Sequence, residues 1–201
     1  MEPILLASGS LRRQDYFKML KIPFKILKPS IEETNPNNLS ASELALDLAK
    51  RKVEKTISIL NERLPNWIFA ADTLVSLDNE IFGKSADRVQ AESTLKKLSG
   101  REHEVWTACA LYNGRTKNTD CRICRSTISF VPFSEEDLQW YLDLGEWQGS
   151  AGSYKIQGVG ACFVKKIEGS YSSVVGLPLH LFYTMLIENG YPMHSDVYSG
   201  K

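Results

Sequence analysis

A fold that mixes α-helices with β-strands, of the α/β or α+β class, follows from three features of this sequence. Apolar runs of strand length alternate along the chain with stretches of helical periodicity. Turn signals such as Asp78-Asn79 and Asn113-Gly114 fall between them. No internal repeat, low-complexity block or linker divides the 201 residues, a length that suits one domain or two small lobes sharing a core.

Residues 4–7 form a short apolar run that reads as a buried strand. The small-residue turn Ser8-Gly9-Ser10 follows, and Leu11, Tyr16, Phe17, Met19 and Leu20 then recur at helical spacing. Residues 23–27 read as a second strand. Ser40 or Ser42 caps a long helix reaching about residue 64, with Leu44, Leu48 and Val53 on its apolar side. Residues 67–77 form a strongly apolar strand interrupted by a single charge, Asp72. A helix over 86–98 stops at Gly100. Residues 103–112 alternate as a strand, turn at Asn113-Gly114 and pair back through 119–131. Ser134 opens a helix whose first turn carries Glu135, Glu136 and Asp137, as the helix dipole prefers. After a glycine-rich segment over 145–160 come a strand over 161–167 and a last helix over 177–189, stopped by Gly190. Residues 1–190 make one domain, and 191–201 a polar, frayed tail.

Composition narrows the function. Lys plus Arg equals Asp plus Glu at 24 each, so nucleic acid and membrane surfaces are disfavoured as partners. A small phosphate ligand stays open, because it needs only a local cluster of cations. The chain has no apolar span of transmembrane length, and Glu2 does not suit a signal peptide; a cytoplasmic protein is expected. Four cysteines do not form a disulfide framework. Gly83-Lys84-Ser85 ends like a P-loop, but Asp78 stands where the first glycine is required. Cys121 and Cys124 lie in a strand whose alternation turns them to opposite faces, so unrelated thiols are favoured over zinc.

The strongest local signal is Leu6-Ala-Ser-Gly-Ser-Leu-Arg-Arg13, a strand feeding a tight turn that opens a helix. Unpaired N–H groups at such a helix start suit an anion; Ser8 and Ser10 add hydroxyls, and Arg12 and Arg13 add planar guanidinium donors. The bland alternative is a capped surface helix with two solvated arginines. Asp72 is the second signal: an acid inside a buried strand is costly unless it is paired or holds a metal. Lys52, Lys84 and Glu33 gain weight only as part of a set.

That set is ordered. The Ser8–Arg13 segment is followed by Glu33, Ala49-x-x-Lys52, Ala71-Asp72-Thr73, Gly83-Lys84 and Leu98-Ser-Gly100-x-x-His103-x-Val105. Then come Glu146-Trp147, Ala151-Gly152-x-Tyr154-x-Ile156-Gln157-Gly158, Ile167-x-Gly169-Ser-Tyr and Val175-Gly-Leu-Pro-Leu179. In order and wording the chain resembles the Maf family from residue 4 to about residue 190. The resemblance implies an α/β fold with an elongated mixed sheet flanked by helices, two lobes around a cleft, related to inosine triphosphate pyrophosphatases. It implies hydrolysis of nucleoside triphosphates to monophosphate and pyrophosphate with Mg²⁺ or Mn²⁺, and often a homodimer. The family also carries a septum formation inhibitor label.

The same resemblance assigns roles. Asp72 is the catalytic base, a metal ligand together with Glu33, or both. Ser8, Ser10, Arg13, Lys52 and Lys84 hold the phosphates. Arg12, Thr73 and Gln157 match the subgroup acting on dTTP and UTP, and the Gln157 amide suits the O4 and N3–H edge of uracil or thymine. The alternatives are a purine-selective pyrophosphatase and a nucleotide-binding regulator of cell division with little turnover. Two positions depart from the family pattern, Leu11 and Ser85, where proline is usual; both loosen loops that hold Arg12 and Lys84.

Overall fold

The structure, a computed structural model, describes residues 1–61 and 64–194. Its strands are β1 (Ile4–Leu6), β2 (Phe24–Ile26), β3 (Trp67–Leu77), β4 (Glu80–Phe82), β5 (Glu102–Asn113), β6 (Asn118–Phe130) and β7 (Val164–Glu168). Its α-helices are α1 (Leu11–Met19), α2 (Ala41–Leu60), α3 (Arg88–Leu98), α4 (Glu135–Asp143), α5 (Tyr171–Val175) and α6 (Leu179–Glu188). The strands make one seven-stranded mixed sheet in the order β2-β1-β3-β5-β6-β7, with β4 paired to β3. β1 runs parallel to both β2 and β3, whereas β3, β5, β6 and β7 pair antiparallel in succession. This is the α/β fold with a mixed sheet flanked by helices that the resemblance implied.

β3 organises the interior. Successive side chains on a strand point to opposite faces. Trp67, Phe69 and Ala71 therefore join a core beneath α1 and α6, where Phe17, Phe69 and Phe182 pack ring on ring. Ile68, Ala70 and Leu74 face α2, whose Leu44, Leu48 and Val53 cover that side. A strand buried on both faces reads as a continuous apolar run, which is why 67–77 is so hydrophobic. A third cluster lies around β4, α3, α4 and the 146–163 segment, with Leu95, Leu98, Tyr141 and Trp147 in it. α2 begins with a capping box, Ser40 accepting from the Glu43 N–H and Glu43 from the Ser40 N–H.

Some elements differ from expectation. α2 ends at Leu60, where the Asn61 backbone turns out of helical geometry. Residues 159–163, expected as the start of a strand, wind into a 3-10 turn, and β7 begins at Val164. β4 and α5 carry too few residues to show a period in the sequence. The expected tail lies largely on residues 195–201, outside the described residues; at its start, Tyr191 is buried and packs edge-on against Trp67. Among the described residues no helix is long and apolar enough to cross a membrane.

His103 on β5 is buried between Phe130 and Tyr154, and Nε2 lies 2.9 Å from the Tyr154 hydroxyl. Burial lowers its pKa to about 4 from an ordinary 6.5, so it folds neutral. The unfolded chain then binds the extra proton between those two values. The resulting stability is complete above about pH 6.5 and is lost as pH falls towards 4, about 3 kcal/mol in all. Urea unfolding of His103→Gln should show a flatter decline than wild type across that window; parallel pH profiles would contradict it.

Candidate active site

The alternation of β3 sends two neighbouring side chains in opposite directions. Asp72 follows Ile68 and Ala70 on the α2 face, and Thr73 follows Phe69 and Ala71 on the α1 face. On α2, Lys52 occupies the buried stripe one turn beyond Leu48. The two meet in a direct ion pair, Lys52 Nζ donating to Asp72 Oδ1, with side chains only 11% and 8% exposed. Glu33, from the segment after β2, reaches the same ammonium at 2.9 Å and offers its other oxygen to Lys84 at 3.6 Å. Burial works against the charged Glu33 carboxylate, but Lys52 and Lys84 outweigh it and hold its pKa below the usual range. Two carboxylates thus converge on one cation.

On the other face, Arg13 of α1 is buried and fully engaged with neutral acceptors. Nε donates to the Gly176 carbonyl at 2.8 Å, one amino group to Ser8 Oγ at 3.1 Å, and the other to Thr73 Oγ1 at 3.3 Å. Thr107 Oγ1 donates to the Ser173 carbonyl, so Thr73 Oγ1, at 3.0 Å, must donate to Thr107. A relay therefore runs from Arg13 through Thr73 and Thr107 to α5. Among the described residues no carboxylate forms an ion pair with Arg13, and burial lowers its pKa. Ser8 Oγ accepts from Arg13 and from the Ser10 N–H, which leaves its own proton free to donate. The N-cap of α1, Ser10, makes no side-chain capping bond, so the first-turn N–H groups are offered outward.

The third core supplies the opposite wall. Arg12 reaches over to donate to Ser150 Oγ at 3.1 Å and to the Gly149 carbonyl at 3.3 Å. Lys84 forms a backbone bridge with Ala151, and the Gly152 N–H donates to the Gly83 carbonyl. Gly152 has φ +66°, and a Cβ there would come within 2.8 Å of Val75. Ser85, expected to leave its loop loose, is tied to Ser153 at 2.6 Å between hydroxyl oxygens. The cleft measures about 580 Å³ and is lined by six cationic side chains against the carboxylates of Glu33 and Asp72. A balanced chain thus concentrates positive charge where an anion would bind. Besides the charged groups, Val75, Val105, Tyr154, Ile156 and Val175 line the cleft with apolar surface.

A model of the Maf family, described as Maf-like protein, matches residues 3–189. The chain belongs to the Maf family. Similar curated relatives include the dTTP/UTP pyrophosphatase of Symbiobacterium thermophilum, 41% identical over 96% of this chain and 97% of that protein. The dTTP/UTP pyrophosphatase of Escherichia coli O157:H7 is 39% identical, covering 92% of each chain. Among solved structures, the Staphylococcus aureus Ham1 protein matches at a TM-score of 0.44 and 16% identity, over 64% of this chain and 72% of that one.

Every residue to which the Maf resemblance assigned a role lines this single cleft: Ser8, Ser10, Arg12, Arg13, Glu33, Lys52, Asp72, Thr73, Lys84 and Gln157. Other Maf motif positions serve as scaffold. Glu146 accepts from the Val159 N–H at 2.8 Å and lies 2.4 Å from where a Cβ on Gly158 would stand, which holds the turn carrying Gln157. Two cations lining the cleft, Lys28 and Lys155, were not singled out from the sequence. Lys28 lies outside the motifs that carried the resemblance, and Lys155 fills an open position between Tyr154 and Ile156 in one of them.

Removing Lys52 leaves Asp72 buried without its partner. Lys52→Met should cost roughly 3 kcal/mol of stability in urea unfolding, and adding Asp72→Asn should recover part of that loss. Strictly additive losses would contradict a coupled pair.

Proposed function

We propose that this chain hydrolyses dTTP and UTP at the α–β phosphoanhydride, giving the nucleoside monophosphate and pyrophosphate. The observation that carries this reading is the lining of the cleft: a buried carboxylate, Asp72, stands among cations, and apolar side chains suited to a base share the same cavity. Membership of the Maf family and relatives named dTTP/UTP pyrophosphatase support the same reaction and the same bases.

In this mechanism Ser8, Ser10 and the first turn of α1 grip the phosphate chain with hydroxyl and backbone donors. Arg13 faces them with a preorganised charge, and Lys52 and Lys84 offset the negative charge that builds on the departing group. Asp72 accepts the proton of a water whose oxygen attacks the α-phosphorus. The bond from that phosphorus to the bridging oxygen breaks, and pyrophosphate leaves with the electron pair. Lys52 orients the Asp72 carboxylate for this step.

The residues fit a divalent cation. Glu33 and Asp72 already converge on the Lys52 ammonium, and carboxylate oxygens suit Mg²⁺ or Mn²⁺. Among the described residues no group of three or more His, Cys, Asp or Glu side chains gathers, so phosphate oxygens and water would complete the shell, as Mg²⁺ prefers. A bound cation would neutralise phosphate oxygens and favour the leaving group.

Arg12, Thr73 and Gln157 form the base-selecting set in this reading. Thr73 spends its proton on Thr107 and accepts from Arg13, so it offers a base a lone pair and a methyl group. Gln157 is exposed at the mouth and has both amide donor and acceptor for a pyrimidine edge.

Pyrophosphate release from dTTP, UTP, CTP, ITP and 7-methyl-GTP tests the reading; fast release confined to dTTP and UTP is expected, and a purine preference would overturn the specificity. Asp72→Asn should lower turnover by about a thousandfold while triphosphate still binds; unchanged turnover would remove Asp72 from the chemistry. Chelation should abolish release, and Glu33→Gln should raise the Mg²⁺ concentration needed for half-maximal rate. Identical metal titrations would exclude Glu33 as a ligand.

A further inference from the structure

Lys28 follows β2 at the cleft rim and lies outside every motif considered above. β2 pairs with β1 in parallel, Leu6 opposite Ile26, and the Leu27 N–H continues the ladder to the Leu6 carbonyl at 3.1 Å. Two residues further along each strand, Lys28 stands beside Ser8. The buried Pro29 after it restricts Lys28 to extended backbone. Its aliphatic stem lies across Gly9, where an added Cβ would meet Lys28 Cδ at 3.0 Å. The side chain therefore drapes over the middle of the Ser8-Gly9-Ser10 turn.

Its charge is uncommitted. Lys52 and Lys84 are held by carboxylates and Arg13 by three neutral acceptors. Lys28 is exposed and, among the described residues, forms no ion pair. An exposed lysine is often merely solvated; this one lines the cleft with its stem fixed against the turn.

The sheet order supplies the direction. Lys28 follows β2, Ser8 follows β1 and Asp72 lies on β3, and these strands are neighbours in that order. Two strand spacings put the Lys28 and Asp72 positions about 10 Å apart, which is of the order of a polyphosphate chain. Val75 on β3 and Val105 on β5, which give the cleft apolar surface, lie on the far side of β1 from Lys28. With the base there and the α-phosphate at Asp72, the remaining phosphates extend over the turn towards β2. We infer that Lys28 is a further phosphate-binding residue, gripping the two phosphates that leave as pyrophosphate. This rests on the pyrophosphatase reading for the orientation of the substrate.

Calorimetric titration of the full chain with inorganic pyrophosphate, and separately with thymidine monophosphate, tests the assignment. Lys28→Met should weaken pyrophosphate binding about fivefold to tenfold, less at high salt, and leave thymidine monophosphate within twofold. Lys28→Arg should restore pyrophosphate binding. Unchanged pyrophosphate affinity in Lys28→Met, or an equal loss for thymidine monophosphate, would overturn it. A wild-type chain that binds pyrophosphate but releases none from dTTP would instead defeat the proposed reaction, independently of how Lys28→Met behaves.

Discussion

The buried contact between Lys52 and Asp72 is the constraint around which this molecule is arranged. A carboxylate inside an apolar strand is tolerable only with a partner, and the partner must arrive from a different element. α2 supplies it because Lys52 continues the Leu44–Leu48 stripe by one more turn. The pair fixes how α2 lies on the sheet, and Glu33 then docks onto the same ammonium and brings Lys84 with it. Arg13 does comparable work on the opposite face without a carboxylate, held instead by Gly176, Ser8 and Thr73. A single strand thus sends one charged network up and one down, and both open into the same cleft.

Such an arrangement reconciles a chain of zero formal charge with a site for a strongly anionic ligand. Global balance governs solubility and non-specific attraction, whereas a cleft needs only its own lining to be cationic. Elsewhere the surface pairs its charges locally, as in Arg88 with Asp143 and Arg101 with Asp78. The cleft leaves positive charge unbalanced. Its walls come from different core clusters, bridged by Arg12 to the Gly149-Ser150 loop and by Lys84 to Ala151.

Much of this was legible in the sequence, for identifiable reasons. β3 announced itself because a strand buried on both faces has to be apolar throughout, and the one charge within it marked the site. Helix starts with clear caps were legible, as at Ser134 before α4 and at Ser40, one of two serines offered, before α2. Lys52 carried a signal that residue-by-residue reading undervalued: it falls at i+4 from Leu48, on the buried side of its helix. β4 and α5 escaped because so few residues establish no period. Lys28 escaped for a different reason. Its place depends on the parallel register of β2 with β1, and strand pairing is a long-range property that no local pattern encodes.

Attack of water at the α-phosphorus is the central claim, and the fate of the water oxygen tests it most directly. Hydrolysis of dTTP in heavy-oxygen water, followed by mass analysis of both products, reports which phosphorus was attacked. The account predicts the label in thymidine monophosphate and unlabelled pyrophosphate. Label in pyrophosphate, or release of inorganic phosphate in its place, would contradict it.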